Sequence, residues 1–472
     1  MRHCNQGRFR QQVRFLQQQY LQDGNLPFSD ILSSELIEQT LTALQVGWVD
    51  RIFTPLVTLC VFLGQVLSAD HSCRAAVARL VAHRVARKES RCSARSGAYC
   101  QARKRLPEAF FSQIARQTGQ RLEDNVKSRW LWKNRRVYIF DGATVSMPDT
   151  PQNQRAYPQV PQQKPGLGFP LMRIAVVFSL ACGAVLDVGM CRYAGKGQSE
   201  LALLRQMWSI FQPGSIVLAD RLMCTWFEFV MLKQRNVDSV CRFTSYRTAD
   251  FRRGKRLGKD DHLVTWLKPQ KPRSVDAETY KPLPDALTVR ECRVRLTQPG
   301  FRVSVLVLAT TLLDPIAYPP GELAQLYFAR WNAELDLRSL KQTLQMDVLR
   351  CKTPELVRKE LWTHILAYNL IRTVLAQAAH KHDLLPRCLS FKGAIQTLQA
   401  FQSVIAEQGE HDAAQRLRLY QELLDAIATH EVANRPNRHE PRMKKRHMRR
   451  FAHLSKPRAE IKRDMAQGLI TI

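Results

Sequence analysis

The chain has 472 residues, enough for two to four domains and a sizeable core. Lys and Arg number 71 against 41 Asp and Glu, a net charge of +30 with a pI near 10.1. An excess this large repels itself unless something neutralises it, so it points to a polyanion, nucleic acid first, and away from a protein without such a partner.

The start, Met1-Arg-His-Cys-Asn-Gln, is polar and no apolar run follows it, so no signal peptide is expected. Residues 1 to about 130 read as helical. Ser34-Glu-Leu-Ile-Glu begins an amphipathic stretch. Ile52 to Leu67 is an apolar helix, and the run to Ala69 contains Pro55 and Gln65, too mixed for a membrane span. Cys73 to Arg84 and Pro107 to Leu122 are further helices, the second with Phe110, Phe111, Ile114 and Leu122 on or near one face. The twelve cysteines, Cys4 to Cys388, form no C-x-x-C pair, and no His cluster has zinc spacing. Reduced thiols in a cytoplasmic protein are the simplest account, rather than a disulfide framework or a zinc site.

The texture changes near 130. Arg136-Val-Tyr-Ile-Phe140 reads as a short strand that ends at Asp141-Gly142. After a loop rich in Pro and Gln, Leu171 to Leu180 and Ala184 to Tyr193 read as two strands joined by a hairpin at Ala181-Cys-Gly183. Gly197 to Phe211 reads as a helix stopped by Gln212-Pro-Gly214. Ser215 to Ala219 is a buried strand ending at Asp220, Thr225 to Gln234 a helix, and Asp238 to Phe243 a strand. The expected order is β-β-β-α-β-α-β. From 244 to 315 the chain is basic at Arg252-Arg-Gly-Lys-Arg256 and strand-like at His262–Leu267, Ala286–Leu296 and Phe301–Leu312, with no clear helix. This stretch reads as a β-rich insertion.

The segment that follows carries Tyr327, Arg330, Glu334 and Lys341 at relative positions 0, 3, 7 and 14. On one continuous helix, at about 100° per residue, the four share roughly a 60° arc. Leu326, Ala333, Leu337, Leu340 and Leu344 form a neighbouring core stripe. Taken alone, the charged face could equally be solvated surface. Thr353-Pro354 opens a long helix to about His380, with Pro suited to the first turn, and Asp412 to Ile427 is another helix. A basic tail closes the chain: Arg435 to Arg463 holds twelve Lys or Arg against two Glu. It reads as an arm for non-specific DNA contact, against the simpler view of a solubilising tail.

Asp141 and Asp220 each close an apolar strand, where functional groups gather in open α/β sheets. Either alone is an ordinary turn former or cap. With Glu334 they make three acids able to hold two divalent cations about 4 Å apart, the arrangement of two-metal phosphodiester chemistry. Carboxylates suit Mg²⁺. Arg330 and Lys341 then position phosphates, and Tyr327 donates a hydrogen bond to one.

At these residues the sequence resembles the DDE transposases of the IS4 type, whose catalytic core is an α/β, ribonuclease H-like fold. The matching parts are Asp141-Gly-Ala-Thr-Val-Ser-Met-Pro-Asp-Thr-Pro, Leu218-Ala-Asp220-Arg221, and the signature Y-x2-R-x3-E-x6-K at Tyr327, Arg330, Glu334 and Lys341. The resemblance covers about 130 to 380; Ala98-Tyr-Cys-Gln-Ala-Arg-Lys-Arg-Leu-Pro107 also looks like the family, and the tail matches least. It implies a metal triad of Asp141, Asp220 and Glu334 holding two Mg²⁺, with Mn²⁺ as a substitute. It implies DNA contacts by Tyr327, Arg330, Lys341 and Arg221, a homodimer on double-stranded DNA, and no membrane. Together with the texture of the chain it gives a helical N-terminal region and candidate DNA-binding domain (1–130), a core in two parts (131–243 and 316–380), an insertion (244–315) and a helical C-terminal region with the tail (381–472). Related enzymes stack a flipped base on an aromatic of the insertion; Trp266, its only tryptophan, reads better as a core residue.

The implied reaction is hydrolytic nicking at the ends of a mobile element, then strand transfer by the freed 3′-hydroxyl, with no covalent protein–DNA intermediate. Three rivals stand beside it: a nuclease of the same fold, a DNA-binding protein that has lost the chemistry, and a β-rich and helical scaffold for RNA, for which no RNP-type aromatic motif is present. The presence of all three acids argues against the second.

Overall fold

A computed structural model describes residues 32, 34–48, 51–86, 88–244, 246–295, 305–408, 413–432 and 454–469. Among the described residues, five α-helices precede the first strand: α1 (Ser34–Ala43), α2 (Pro55–Leu67), α3 (Cys73–Ala86), α4 (Gly97–Arg105) and α5 (Glu108–Asp124). Pro55 sits in the first turn of α2, where its missing N–H costs nothing, and the Thr54 hydroxyl accepts from the Val57 amide. There follow β1 (Val137–Ser146), α6 (Pro151–Ala156), β2 (Leu171–Ser179), β3 (Val185–Arg192), α7 (Glu200–Gln206), β4 (Ile216–Ala219), α8 (Trp226–Lys233) and β5 (Asp238–Arg242). Next come β6 (Lys255–Gly258), β7 (Asp261–Leu267), α9 (Ala277–Tyr280), β8 (Ala286–Arg295) and β9 (Val305–Thr310). The chain then runs through α10 (Pro320–Phe328), α11 (Trp331–Arg338), a π-helical turn (Ser339–Thr343), α12 (Pro354–Lys381), α13 (Phe391–Gln408), α14 (Ala413–Ala428) and α15 (Arg458–Ala466).

The nine strands form one sheet in the order β3-β2-β1-β4-β5-β9-β8-β7-β6. β4 and β5 are parallel, with Ile216 opposite Asp238 and Ala219 opposite Cys241. β9 runs antiparallel to β5, and β8, β7 and β6 continue antiparallel. Every side chain of β4 is fully buried, which is why it reads as an unbroken apolar run instead of an alternation. Between β2 and β3 the Ser179 amide donates to the Ala184 carbonyl, and Gly183 takes φ +81°, open to glycine at no steric cost.

The elements expected from the sequence differ from these in several places. The helix expected over Gly197–Phe211 is α7 followed by a single 3₁₀ turn at Trp208–Ile210. The stretch 244–315 contains one helical turn, α9, started by the Asp276 carboxylate accepting from the Thr279 amide. Of the strand expected at Phe301–Leu312, residues 301–304 lie outside the described residues, as do most of the basic tail and the first thirty-one positions. Among the described residues no helix is long and apolar enough to cross a membrane.

The chain divides into two compact units. One comprises Met1–Ile139, Val176–Val188 and Trp331–Val432; the other Phe140–Ala175, Gly189–Arg330 and Ala433–Ile472. In the first, α12 packs against α5 and α2 and is buried along most of its length. Its Asn369 works as a clamp: Nδ2 donates to the carbonyls of Ala115 (3.1 Å) and Val185 (2.8 Å), and Oδ1 accepts from the Val185 amide at 2.8 Å. The clamp needs Gly119, where a Cβ would lie 2.2 Å from the Val185 oxygen.

In the second unit, Arg290 of β8 is fully buried and bidentate on Asp261 of β7, at 2.8 and 2.6 Å. Its other amine donates to the Tyr318 carbonyl at 2.7 Å, fixing the loop that leads into α10. A buried charge is tolerable only when paired and hydrogen-bonded in this way.

Candidate active site

Asp141 lies in the middle of β1, not at its end: the strand continues to Ser146. Its Oδ1 accepts from the Gly142 amide at 2.9 Å, and its Oδ2 accepts from Arg330 Nη1 at 3.1 Å. The two side chains are 20% and 17% exposed, so the pair is only partly screened by water. Asp220 follows β4 directly, as the sequence indicated, and β4 neighbours β1 in the sheet. It is exposed and caps the short turn Arg221–Met223, with Oδ1 accepting from the Leu222 amide at 2.8 Å. Arg221, beside it, is exposed.

Tyr327 is near the end of α10 and 8% exposed. The Arg330 guanidinium lies 6.0 Å from its ring centroid. Burial pushes the phenol up to about 12; Arg330 opposes the shift, and the Asp220 charge adds to it. Asp141, Asp220, Tyr327 and Arg330 thus belong to one unit and come from three separate stretches of sequence.

Glu334 and Lys341 belong to the other unit. The signature does not lie on one continuous helix. α10 ends at Phe328, the Arg330 amide closes a turn on the Tyr327 carbonyl at 3.0 Å, α11 begins at Trp331, and Lys341 sits in the π-helical turn. The common arc at 100° per residue therefore fails as geometry, while the core stripe holds: Leu326, Ala333, Leu337, Leu340 and Leu344 are all buried.

α11 is anchored by a residue the sequence did not mark as structural. Asp336 is fully buried; Oδ1 accepts from Arg372 and Oδ2 from Arg387 Nη1 at 2.6 Å. Arg387 also donates to the carbonyls of Ser179 (2.5 Å) and Leu180 (2.7 Å). Arg372 packs so tightly on the β2–β3 hairpin that a Cβ at Gly183 would meet its Nε at 2.8 Å. Glu334, two residues before Asp336, is held on an element pinned by this network.

A second missed residue is Glu200. Its carboxyl occupies the space a side chain at Gly142 would need, with Cδ 2.3 Å from an added Cβ, and it pairs with Arg173 at 3.0 Å. Only the bareness of Gly142 hinted at it. Trp266 is a core residue as the sequence suggested: 4% exposed, stacked on Phe229 at 5.4 Å, its Nε1 donating to Glu291 at 2.8 Å.

The carboxylates of Asp141 and Asp220, on adjacent strands and reached by solvent, are hard oxygen donors that fit a divalent cation such as Mg²⁺. Among the described residues no group of three His, Cys, Asp or Glu is arranged to hold a metal, and Glu334 belongs to the other unit.

The family model described as a transposase DDE domain matches residues 132–370. Over 301 residues the chain is 29% identical to the transposase InsG for insertion sequence element IS4 of Escherichia coli (strain K12). That match covers 62% of this chain and 64% of the InsG protein, less than two thirds of its length. Over 69 residues it is 36% identical to the transposase for insertion sequence element IS421 of Escherichia coli, covering 15% of this chain and 19% of the relative. A solved structure of the piggyBac transposase synaptic complex with hairpin DNA aligns over 87% of this chain and 85% of its own, at 9% identity and a TM-score of 0.43.

Proposed function

The chain belongs to the family of transposases with a DDE domain, and from that membership we propose that it binds the ends of an insertion sequence, cleaves them and joins the 3′ ends to target DNA. The observation that carries the reading is the gathering of Asp141, Asp220, Tyr327 and Arg330 in one unit from three stretches of chain. Asp141, Asp220 and Glu334 are its catalytic acids. These carboxylates would hold two divalent cations, Mg²⁺ or Mn²⁺, which when bound would supply activation of the attacking hydroxyl and neutralisation of the leaving oxygen.

The residues of the chain do the rest. Arg330 pairs with Asp141 and brings a positive charge to where a phosphate would lie. Tyr327 holds its proton through the neutral range, so its phenol donates a hydrogen bond. Lys341 and Arg221 neutralise neighbouring phosphates. The nucleophile is water in the first step and a DNA 3′-hydroxyl in the second, so no side chain becomes linked to DNA.

The order β3-β2-β1-β4-β5, with β4 and β5 parallel, supports a ribonuclease H-like core over 131–243 and 316–380. β6 to β9 support the reading of 244–315 as its insertion. Helices α1 to α5 support 1–130 as a helical N-terminal region and candidate DNA-binding domain, with the C-terminal helices and tail in 381–472. Within the insertion, Tyr246 is 97% exposed on a loop with exposed Arg252 and Arg253, and exposed Lys255 and Arg256 follow at the start of β6. An aromatic among cations suits base stacking, a role closed to buried Trp266. Two copies act together on two ends in the cytoplasm.

The test is incubation of the purified protein with linear DNA carrying the repeats that flank its gene. Nicks at the element ends and joined products are expected with Mg²⁺; a chelator should stop cleavage and spare binding. Nicking without joining would favour a nuclease, and binding without cleavage a silent DNA-binding protein; either result overturns the proposal.

A further inference from the structure

The helical unit contains a cluster of thiols that the DNA chemistry does not use. Cys73 opens α3 and Cys100 lies in α4, both half-exposed. Between them stands Arg103, 3% exposed. Its Nη2 is 3.1 Å from Cys73 Sγ and 3.6 Å from Cys100 Sγ, and its Nη1 is 3.7 Å from Cys351 Sγ. The guanidinium also faces the rings of Phe62 and Tyr99, at 4.7 and 4.6 Å. Among the described residues no carboxylate makes an ion pair with it, and its Nε has no hydrogen-bond partner. The buried cation draws a thiolate toward it, and it shares its charge with the buried carboxyl of Glu360 on α12.

One donor nitrogen, Arg103 Nη2, reaches both sulfurs and so brings Cys73 of α3 and Cys100 of α4 to the same side of one guanidinium. Cys351, the third thiol, is buried and less open to an oxidant. We propose that Cys73 and Cys100 are a peroxide-sensitive dithiol that closes to a disulfide, with Arg103 stabilising the attacking thiolate. The Cys73 thiolate attacks hydrogen peroxide: an S–O bond forms, the O–O bond breaks, and hydroxide leaves and is protonated to water. The Cys100 thiolate then attacks Cys73 Sγ: the S–S bond forms, the S–O bond breaks, and a second water departs. Two thiols are oxidised by two electrons and one peroxide is reduced to two waters.

Burial and Cys100 raise the Cys73 thiol while Arg103 lowers it, with burial the larger effect. Few molecules are therefore thiolate at neutral pH, and the reaction accelerates as pH rises. The disulfide would tie the start of α3 to α4, the helix whose Arg103 and Lys104 carbonyls accept from Lys359 of α12.

The full chain is treated with stoichiometric hydrogen peroxide, alkylated, digested without reduction and analysed by mass spectrometry. A cross-linked Cys73–Cys100 peptide pair is expected, lost on adding dithiothreitol. The rate should rise about tenfold per pH unit between pH 7 and 9. Cys73→Ser and Cys100→Ser should each remove the cross-link while leaving the far-ultraviolet circular dichroism unchanged. Alkylation of both residues after peroxide, pairing of either with another cysteine, or a rate flat in pH would overturn the proposal. The wild-type result decides even if a variant misfolds, and no DNA reaction enters the readout, so it stands or falls apart from the transposase reading.

Discussion

Arg330 Nη1 donates to Asp141 Oδ2 at 3.1 Å, joining residues 189 positions apart in sequence. The pair covers the aspartate proposed as the first of the catalytic acids. An arginine neutralised by a carboxylate has less charge to give to DNA, and an aspartate covered by an arginine has less to give to a cation. Each partner therefore reports on the other.

Asp141→Asn should abolish cleavage and free Arg330. Binding to element ends should persist and its salt slope should steepen by about one phosphate. Arg330→Ala should flatten the slope by a similar amount. Titrations of labelled end DNA across salt concentration decide; an unchanged slope in Asp141→Asn would mean that Arg330 does not reach phosphate.

Tyr327 sets a pH dependence with a definite sign. Its phenol is pushed up to about 12 in the folded chain, against 10.0 ordinarily. Above pH 10 the unfolded chain releases this proton more readily than the folded one. The corresponding stability is complete below pH 10 and is lost between about pH 10 and 12, on the order of 2 kcal/mol. Tyr327→Phe should make the alkaline limb of a urea-denaturation profile shallower over that window. At neutral pH it should weaken end binding if the phenol donates to phosphate.

Asp336 is fully buried between Arg372 and Arg387. Removing one partner of a buried pair strands the other charges, so Asp336→Ala should cost about 3–5 kcal/mol. Guanidinium unfolding measures it. A loss below about 1 kcal/mol would mean that solvent reaches the network.

Gly119→Ala would drive a Cβ against the backbone oxygen of Val185 at 2.2 Å and against Asn369 Nδ2 at 2.8 Å. A backbone atom cannot swing away as a side chain does, so about 1–3 kcal/mol should be lost. Combined with Asn369→Ala, the two losses should be less than additive, because both act on the same clamp.

Much of this was open to reading along the chain because it is local. β4 is a four-residue apolar run, Gly183 marks a turn that needs positive φ, and Thr353-Pro354 starts a helix by its own dihedral preference. The spacing of Tyr327, Arg330, Glu334 and Lys341 identified the family because recurring residue types need no coordinates to be recognised.

Other features were decided only by the fold. Periodicity assumes a regular helix, so it could not reveal the break at Ala329–Arg330 or the π-helical turn around Lys341. β1 continues past Asp141 because the sheet supplies its hydrogen-bonding neighbours; the sequence offered Asp-Gly, an ordinary stop signal. The partners of Asp141, Asp336 and Gly142 lie far along the chain at Arg330, Arg372, Arg387 and Glu200. The order of residue types along the chain therefore determined the family and most of the elements, since propensity and pattern act over a few residues. Which charges meet was decided by tertiary structure, because electrostatic pairing depends on distance in space and on burial, and neither is written in sequence separation.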